Sequence, residues 1–389
     1  MKTITDLDLK NKRVLIRVDY NVPMEGSKIK SDVRIQASLP TIETALEKGA
    51  AVILLSHLGS PQEGVYDESL SLFPVAERLS HLLKKPIRFE KNWLNGVDIH
   101  SGEIVLCENV RFNVGEMENQ DELSKKMATL CDVFINDAFA TAHRVQASTY
   151  GIARYVKEKA AGLLMIAELN AIQKAIQNPK RPVVTIIGGS KISTKLELLH
   201  SLLDFSDTLI VGGGIANTLL TAKGFPIGKS LCEKDLFQKA QGLFSFAENK
   251  NVPLPLPIDA VIAKNSSSPA EIKNISDLTT DDIIYDIGPK TARQFGDIIK
   301  NAKTIIWNGP VGMFEIGPFS HGTKQVASDI ANSHAYSLVG GGDTIAALEK
   351  FKLDHQMSYI STGGGAFLSY LEASGKGEQL PTIEILERQ

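Results

Sequence analysis

The chain has 389 residues, 43% of them hydrophobic and 22% charged, a usage that excludes disorder, collagen and coiled coil as descriptions of the whole. Its 42 Lys and Arg against 45 Asp and Glu leave a formal net charge of -3, so no global basic field draws in nucleic acid or an anionic membrane. Attraction for anions has to be local. At roughly 100–200 residues per domain, the length favours two or three domains.

The 3 cysteines, Cys107, Cys131 and Cys232, lie far apart with no CxxC pair, which fits reduced thiols and leaves no disulfide framework or zinc site. The start, MKTITDLDLKNKR, has no apolar signal-peptide core, and the longest apolar run (160–167) falls short of the roughly 20 residues that span a bilayer. A soluble, cytoplasmic protein is expected.

In chain order, short β-branched runs alternate with loops and helical stretches. Residues 14–18 lead into DYNVP, 51–55 into SHLGSP, 104–107 into ENVRF and 133–135 into NDAFATAHR. These strand ends are rich in Arg, His, Asn and Asp. Residues 162–177 then carry apolar residues at helical spacing (Leu163, Ile166, Leu169, Ile172, Ile176) and stop at Asn178-Pro179, which predicts an interdomain helix. Beyond it the strand ends change character. Residues 183–187 precede GGSK, 208–211 precede GGGIAN, 304–307 precede NGPVG, 336–339 precede GGGDT and 358–361 precede TGGG. Continuous apolar strands alternating with helices predict parallel sheets covered on both faces, with ligands beyond the carboxyl ends of the strands. One half thus presents side-chain donors and the other presents backbone.

Glycine-rich loops entering helices gather N–H groups and the positive end of the helix dipole, which suits phosphate. In Gly340–Thr344 an acid and a hydroxyl also sit at the helix start, so Asp343 suits either a Mg2+ ligand or a helix N-cap. GGSKISTK (188–195) sets Lys191 and Lys195 one turn apart at an expected helix start, where positive charge is unfavourable unless an anion also binds. Two motifs fail on inspection. GFPIGKS (224–230) is one residue short of a P-loop, and the triplet at 212–214 lacks the third glycine of GxGxxG. In the first half, Arg17, Arg34, Arg111 and Arg144, with His57 and His143, fall at or near strand ends. Arginine matches carboxylate and phosphate bidentately, each such bond contributing roughly 1.5–3 kcal/mol. Several on one ligand would imply a small, multiply charged acid, although a single Arg is more often a surface residue and a single His more often structural than catalytic.

The segments RVDYNVP (17–23), DVRI (32–35), SHLGSP (56–61), ENVRF (108–112), NDAFATAHR (136–144), GGSKISTK (188–195), GGGIAN (212–217), DIGPKT (286–291), WNGPVGMFE (307–315), GGGDT (340–344) and STGGGA (361–366) occur in this order over essentially the whole chain. In them the sequence resembles the phosphoglycerate kinase family. The resemblance implies an α/β fold of two doubly wound parallel-sheet domains joined by a helical hinge. Residues 1–170 would bind 3-phosphoglycerate, residues 171–370 the nucleotide, and 371–389 would pack back on the first domain. It implies reversible phosphoryl transfer between 1,3-bisphosphoglycerate and ADP, with Mg2+, in a cytoplasmic monomer with no nucleic-acid or membrane partner. Asp19, Tyr20, Asn21, Arg34, His57, Leu58, Gly59, Ser60, Arg111 and Arg144 would contact the acid. Lys195, Glu315, Gly341, Gly342, Asp343 and Thr344 would contact the nucleotide, with Asp343 on the metal, while Arg34 and Lys191 would act on the transferring group.

Three positions depart from the family pattern: Ser60 where SHLGRP is usual, Ala140 where glycine is usual, and Tyr20 in place of a common Phe. Ser60 removes a basic residue from the substrate loop. Because a phosphate or carboxylate acceptor is already ionised at neutral pH, no general base is required, and closure about a hinge before Asn178 or within 363–377 would align the reactants. The competing readings are another small-acid kinase, a dehydrogenase, which the missing GxGxxG disfavours, and a non-catalytic scaffold, which would need none of Arg34, Lys191, Lys195 and Asp343.

Overall fold

Two sheets whose strands are buried along almost their whole length organise the chain, which a computed structural model describes over residues 1–388; Gln389, the last residue of the expected returning segment, lies outside the described residues. The first half runs β1 (Arg13–Arg17), the hairpin β2 (Met24–Glu25) and β3 (Lys28–Ile29), α1 (Val33–Glu47), β4 (Ala51–Leu55), α2 (Phe73–Leu83), β5 (Arg88–Glu90), β6 (Ile104–Cys107), α3 (Asp121–Ala128), β7 (Val133–Asn136) and β8 (Glu158–Ala161). Its sheet is parallel throughout, in the order β5-β6-β4-β1-β7-β8. Val14, Ile16, Val52, Leu54, Val133 and Ile135 bury one face against Ile35, Ile42, Val75 and Leu79 of α1 and α2. Covering both faces is what makes these strands read as continuous apolar runs. The edge strands β5 and β8 are short and partly polar, and the apolar pattern did not foretell them.

Helix α4 (Leu163–Ile176) follows directly. Its first turn is held by Asp137, the second residue of NDAFATAHR, whose Oδ1 accepts from the Met165 amide (3.1 Å), and by Thr41, whose hydroxyl accepts from the Leu163 amide (2.9 Å). Burial pushes that carboxyl up to about 7.

The second half runs β9 (Val183–Ile187), α5 (Leu196–Leu203), β10 (Thr208–Val211), α6 (Gly213–Ala222), α7 (Phe237–Asn249), β11 (Asp259–Ala263), β12 (Glu271–Asn274), β13 (Ile283–Ile287), α8 (Pro289–Asn301), β14 (Thr304–Asn308), α9 (His321–Ala331), β15 (Tyr336–Gly340), α10 (Gly342–Phe351), β16 (Tyr359–Ser361), α11 (Gly365–Gly375) and α12 (Pro381–Glu387). The five strands expected from the sequence form one parallel sheet, β10-β9-β14-β15-β16. Amphipathic α8 buries Ala292, Phe295 and Ile299, spaced three and four apart, against Ile305 and Trp307 of that sheet. A second, antiparallel sheet, β12-β11-β13, was not foreseen, because its edge strand β12 is exposed and largely polar.

The chain divides into one compact unit of residues 1–170 plus 379 onward, and another of residues 171–378. The expectation that the return begins at Leu371 is corrected: α11 stays with the second unit, because Gly375 lies flat against Ser201 of α5 and Ser201 Oγ donates to Glu372 O (3.1 Å). The return comes with α12, where Thr382 is fully buried and its amide donates to Ala142 O (3.1 Å), inside NDAFATAHR.

Trp307, fully buried at the end of β14, donates its indole N–H to Gly309 O (2.8 Å) and so begins the next loop. Trp307→Phe removes that donor and leaves a buried carbonyl unpaired. We expect a loss of about 1–3 kcal/mol, read as a lower midpoint in urea denaturation with an unchanged slope; an unshifted midpoint would show that the bond adds nothing.

Candidate active site

In the first unit, strands β1, β4 and β7 deliver the charged residues to one end of the sheet. Arg17, the last residue of β1, is fully buried; its Nε donates to Ser148 Oγ (2.9 Å), and a second guanidinium N–H reaches Nδ1 of His57 at 3.2 Å. Ser148 in turn donates to the buried carboxylate of Glu116 (2.5 Å), which also accepts the Ser148 amide (3.0 Å). Burial draws the Arg17 guanidinium down to about 10 and pushes Glu116 up, each against the pull of the other. Neither Glu116 nor Ser148 stands in a motif that sequence reasoning singled out. The only advance signal was an acid in a glycine-bearing turn.

His57 is buried, and burial together with the charges of Arg17, Arg111, Arg144 and Arg34 holds its imidazole well below the ordinary histidine value of 6.5. Those four guanidiniums therefore act on one ring, the convergence that sequence alone left open. A guanidinium has no acceptor, so Nδ1 must accept from Arg17, and the single ring proton belongs on Nε2. Arg34, at the start of α1, pairs with Asp19 (2.8 Å) and donates to Asn21 O (2.9 Å), while keeping about a third of its side chain exposed. Asn21 Oδ1 accepts from Gly59 N (2.9 Å), which fixes the loop after β4. Arg111 donates to Gly59 O and to Ser60 Oγ (3.3 Å), and its buried Nε has no partner among the described residues. Arg144 is half-buried beside His143, whose imidazole burial also holds low.

Two of the expected contacts have no side chain free to make them. Tyr20 is fully buried, its hydroxyl spent on Ser38 Oγ (2.9 Å) and its amide on Ser56 Oγ (2.8 Å). Leu58 packs into the core and presents only its carbonyl, which accepts from Asn109 (2.8 Å). Both lie in the loops just after β1 and β4 and turn their side chains into the core, so neither offers a side-chain contact to a ligand.

In the second unit the glycine loops after β9, β10 and β14 meet backbone to backbone, and the loop after β15 is joined to them through the side chains of Asn308 and Thr344. A Cβ at Gly188 would stand 1.9 Å from Pro310 O, and Gly341, at φ 99°, turns the chain into α10. Lys195 reaches into this cluster, donating to Gly188 O (2.8 Å) and Asn308 Oδ1 (2.7 Å), while Asn308 Nδ2 ties down Gly340 O (2.7 Å). Asn308 was missed because nothing marks a single Asn in WNGPVG as structural. Burial draws Lys195 down to about 8, with Asp343 opposing. Two of its three N–H groups are used, so one remains for an anion, whose charge would raise the amine again.

The expectation of Lys191 and Lys195 on one helical turn is corrected. Helix α5 starts at Leu196, because Glu233 takes both the amide (2.8 Å) and the hydroxyl (2.5 Å) of Ser193 and folds residues 192–195 into a turn. Lys191 is left exposed, and among the described residues its amine makes no hydrogen bond or ion pair within 4.0 Å. Thr344 is buried, accepting from Gly309 N (2.7 Å) and donating to Gly340 O (3.0 Å), so its hydroxyl is structural and only its backbone faces a ligand. Asp343 is exposed in the first turn of α10, and the loop Gly312–Glu315 faces it. With Gly213, Gly214, Leu220, Ile284 and Tyr285 they line a cavity of about 310 Å³, large enough to receive the flat face of a base.

We expect the His57 ring nitrogens to give the NMR shifts of a neutral imidazole with its proton on Nε2 across pH 6–8. A titration centred near 6.5 would contradict the arrangement. The sign follows: a folded value held below the unfolded one contributes stability above about 6.5 that is lost as pH falls.

Comparison with known proteins places these features in context. The family model described as phosphoglycerate kinase matches residues 4–374. A phosphoglycerate kinase of Francisella philomiragia is 55% identical over 389 residues, covering 100% of this chain and 98% of that one. One from Coxiella burnetii is 52% identical over 99% of this chain and 98% of its own. Among solved structures, the Coxiella burnetii enzyme superposes with a TM-score of 0.93 at 52% identity (99% and 97% coverage). The Pyrococcus horikoshii enzyme superposes with 0.80 at 32% identity (100% and 98%).

Proposed function

The chain belongs to the phosphoglycerate kinase family and transfers a phosphoryl group reversibly between 1,3-bisphosphoglycerate and ADP, and on that premise we propose which of its residues bind, orient and discharge the reactants. The first unit holds the acid. Arg34, Arg111 and Arg144 grip its carboxylate and phosphate, neutral His57 donates from Nε2, and Asp19, Asn21, Gly59 and Ser60 shape the loop around it. The observation that carries this reading is that Arg17, Arg34 and Arg111 meet at His57 and the loop that follows it, Arg17 on the ring itself, Arg111 on Gly59 and Ser60, and Arg34 through Asn21, a surplus of positive charge that a multiply charged anion relieves. Arg111, already bonded to Ser60, takes the place of the basic residue that the family pattern has there.

The second unit holds the nucleotide. The base lies in the 310 Å³ cavity near Tyr285, Glu315 takes the ribose side, and phosphates lie at the Gly341–Gly342 amides with Lys195. Asp343 fits Mg2+: it is exposed in the first turn of α10, makes no ion pair among the described residues, and would hold the ion there together with the nucleotide's phosphate oxygens. No cluster of three or more ligating side chains exists among the described residues, which suits an ion that arrives with the nucleotide. That ion supplies charge neutralisation along the phosphates.

Both acceptors, a carboxylate and a phosphate oxygen, are ionised at neutral pH, so the residues need only align anions and offset charge. Arg34 keeps one exposed edge for the transferring group, and Lys191, exposed and unbonded, reaches it when both ligands are held about 3–3.5 Å apart. Hinge closure that brings the two ligands together, a monomeric state and a cytoplasmic location complete the proposal. No helix among the described residues is long and apolar enough to cross a membrane.

The test is ADP release from MgATP. Strong stimulation by 3-phosphoglycerate but not by glycerate is expected, and no stimulation in folded protein would refute the assignment of the first unit. Arg34→Ala should lower kcat by at least about a hundredfold with little loss of stability; near-normal turnover would remove it from the transferring group. Asp343→Ala should weaken binding of the Mg-nucleotide while leaving metal-free nucleotide affinity nearly unchanged, measured by calorimetry with and without Mg2+.

A further inference from the structure

Asp286 stands at the end of β13 in the wall of the nucleotide cavity, 1% exposed, and the proposed reaction makes no use of it. Its Oδ2 accepts from Gly322 N (2.6 Å) in the first turn of α9, and its Oδ1 accepts from Ile287 N (2.9 Å). The residue that precedes α9, Ser320, makes no side-chain cap, so a carboxylate from the neighbouring strand does that work instead. The fit is close: a Cβ at Gly322 would lie 2.3 Å, and one at Gly312 1.9 Å, from Asp286 Oδ1.

The next residue of α9, Thr323, is fully buried, and its hydroxyl accepts from the amides of Val311 (3.2 Å) and Gly312 (3.3 Å). The loop then continues through Met313, whose amide donates to Tyr285 O (2.8 Å), the residue before Asp286, and arrives at Glu315. Two hydrogen-bonded links, joined by short stretches of backbone, thus lead from the β13 carboxylate through the start of α9 to the loop that ends in Glu315.

We propose that Asp286 and Thr323 are positioning residues for the nucleotide, acting as a clamp that sets Glu315 against the cavity without touching the ligand. The proposal rests on the reading of that cavity as the nucleotide site. It makes the clamp specific to one of the two substrates, because every group in it belongs to the second unit.

The experiment compares Thr323→Val, Thr323→Ser, Asp286→Asn and Glu315→Ala with the unaltered protein, each checked for folding by circular dichroism. KM is measured for MgATP and for 3-phosphoglycerate, together with MgADP affinity by calorimetry. Thr323→Val should raise the nucleotide KM and Kd about five- to tenfold while the KM for 3-phosphoglycerate moves less than about twofold. Thr323→Ser, which keeps the hydroxyl, should restore nucleotide affinity. Asp286→Asn, whose amide can accept from only one of the two N–H groups, should weaken the nucleotide in the same selective way. If Asp286→Asn does not fold, the two Thr323 variants still decide. An unchanged nucleotide KM in folded Thr323→Val, equal rises for both substrates, or failure of Thr323→Ser to rescue would overturn the clamp. Glu315→Ala with undiminished MgADP affinity would instead sink the reading of the cavity on which the clamp depends.

Discussion

Four guanidiniums drawn towards one imidazole are the constraint around which the first unit is arranged. Arg17, Arg34, Arg111 and Arg144 repel one another, and no folded chain keeps such a group together without offsetting charge. Asp19 holds Arg34 from one side, and buried Glu116 faces Arg17 through Ser148 from beneath. These two acids offset part of the charge of four guanidiniums and leave the group positive. The protein thus spends burial on holding apart charges that only a ligand can fully neutralise, and rigidity here is what makes the site selective for a small acid with more than one negative group.

The second unit meets the same demand with a different material. Its donors are backbone amides at loop and helix starts, brought together because glycines at 188, 213 and 309 let main chains touch. Lys195 adds one charge, held by two hydrogen bonds, whose strength depends on whether an anion is present. A side-chain site recognises the particular acid, and a backbone site accepts the repeating phosphates of a nucleotide. The division suits a reaction in which neither partner has to lose a proton.

Much of this was legible in the sequence for a physical reason. Buried parallel strands must be apolar along their whole length, and loops that cradle anions must be glycine-rich or arginine-bearing, so strands and loop chemistry both leave compositional marks. What could not be read is what depends on partners distant in sequence. Glu233 decides that residues 192–195 form a turn, so the spacing of Lys191 and Lys195 misled. Ser38 and Ser56 decide that Tyr20 faces the core. Glu116, Asn308 and Asp286 take their roles entirely from contacts made by the fold, and β12, exposed at an edge, has no apolar pattern to betray it. The chain's return was expected in outline, but its starting point was set by the packing of Gly375 on Ser201, which no local pattern encodes.

That return has a consequence for how the molecule comes into being. Residues 379 onward complete the unit that residues 1–170 begin, and the whole of 171–378 is made in between. On a ribosome, the second unit has all its strands before Thr382 exists to bond Ala142 and close the loop that carries Arg144. The half synthesised first is therefore the half finished last, and until α12 emerges the carbonyl of Ala142, two residues before Arg144, lacks the amide that bonds it. Chains cut short by even a dozen residues would keep an intact nucleotide half beside an unfinished acid-binding one.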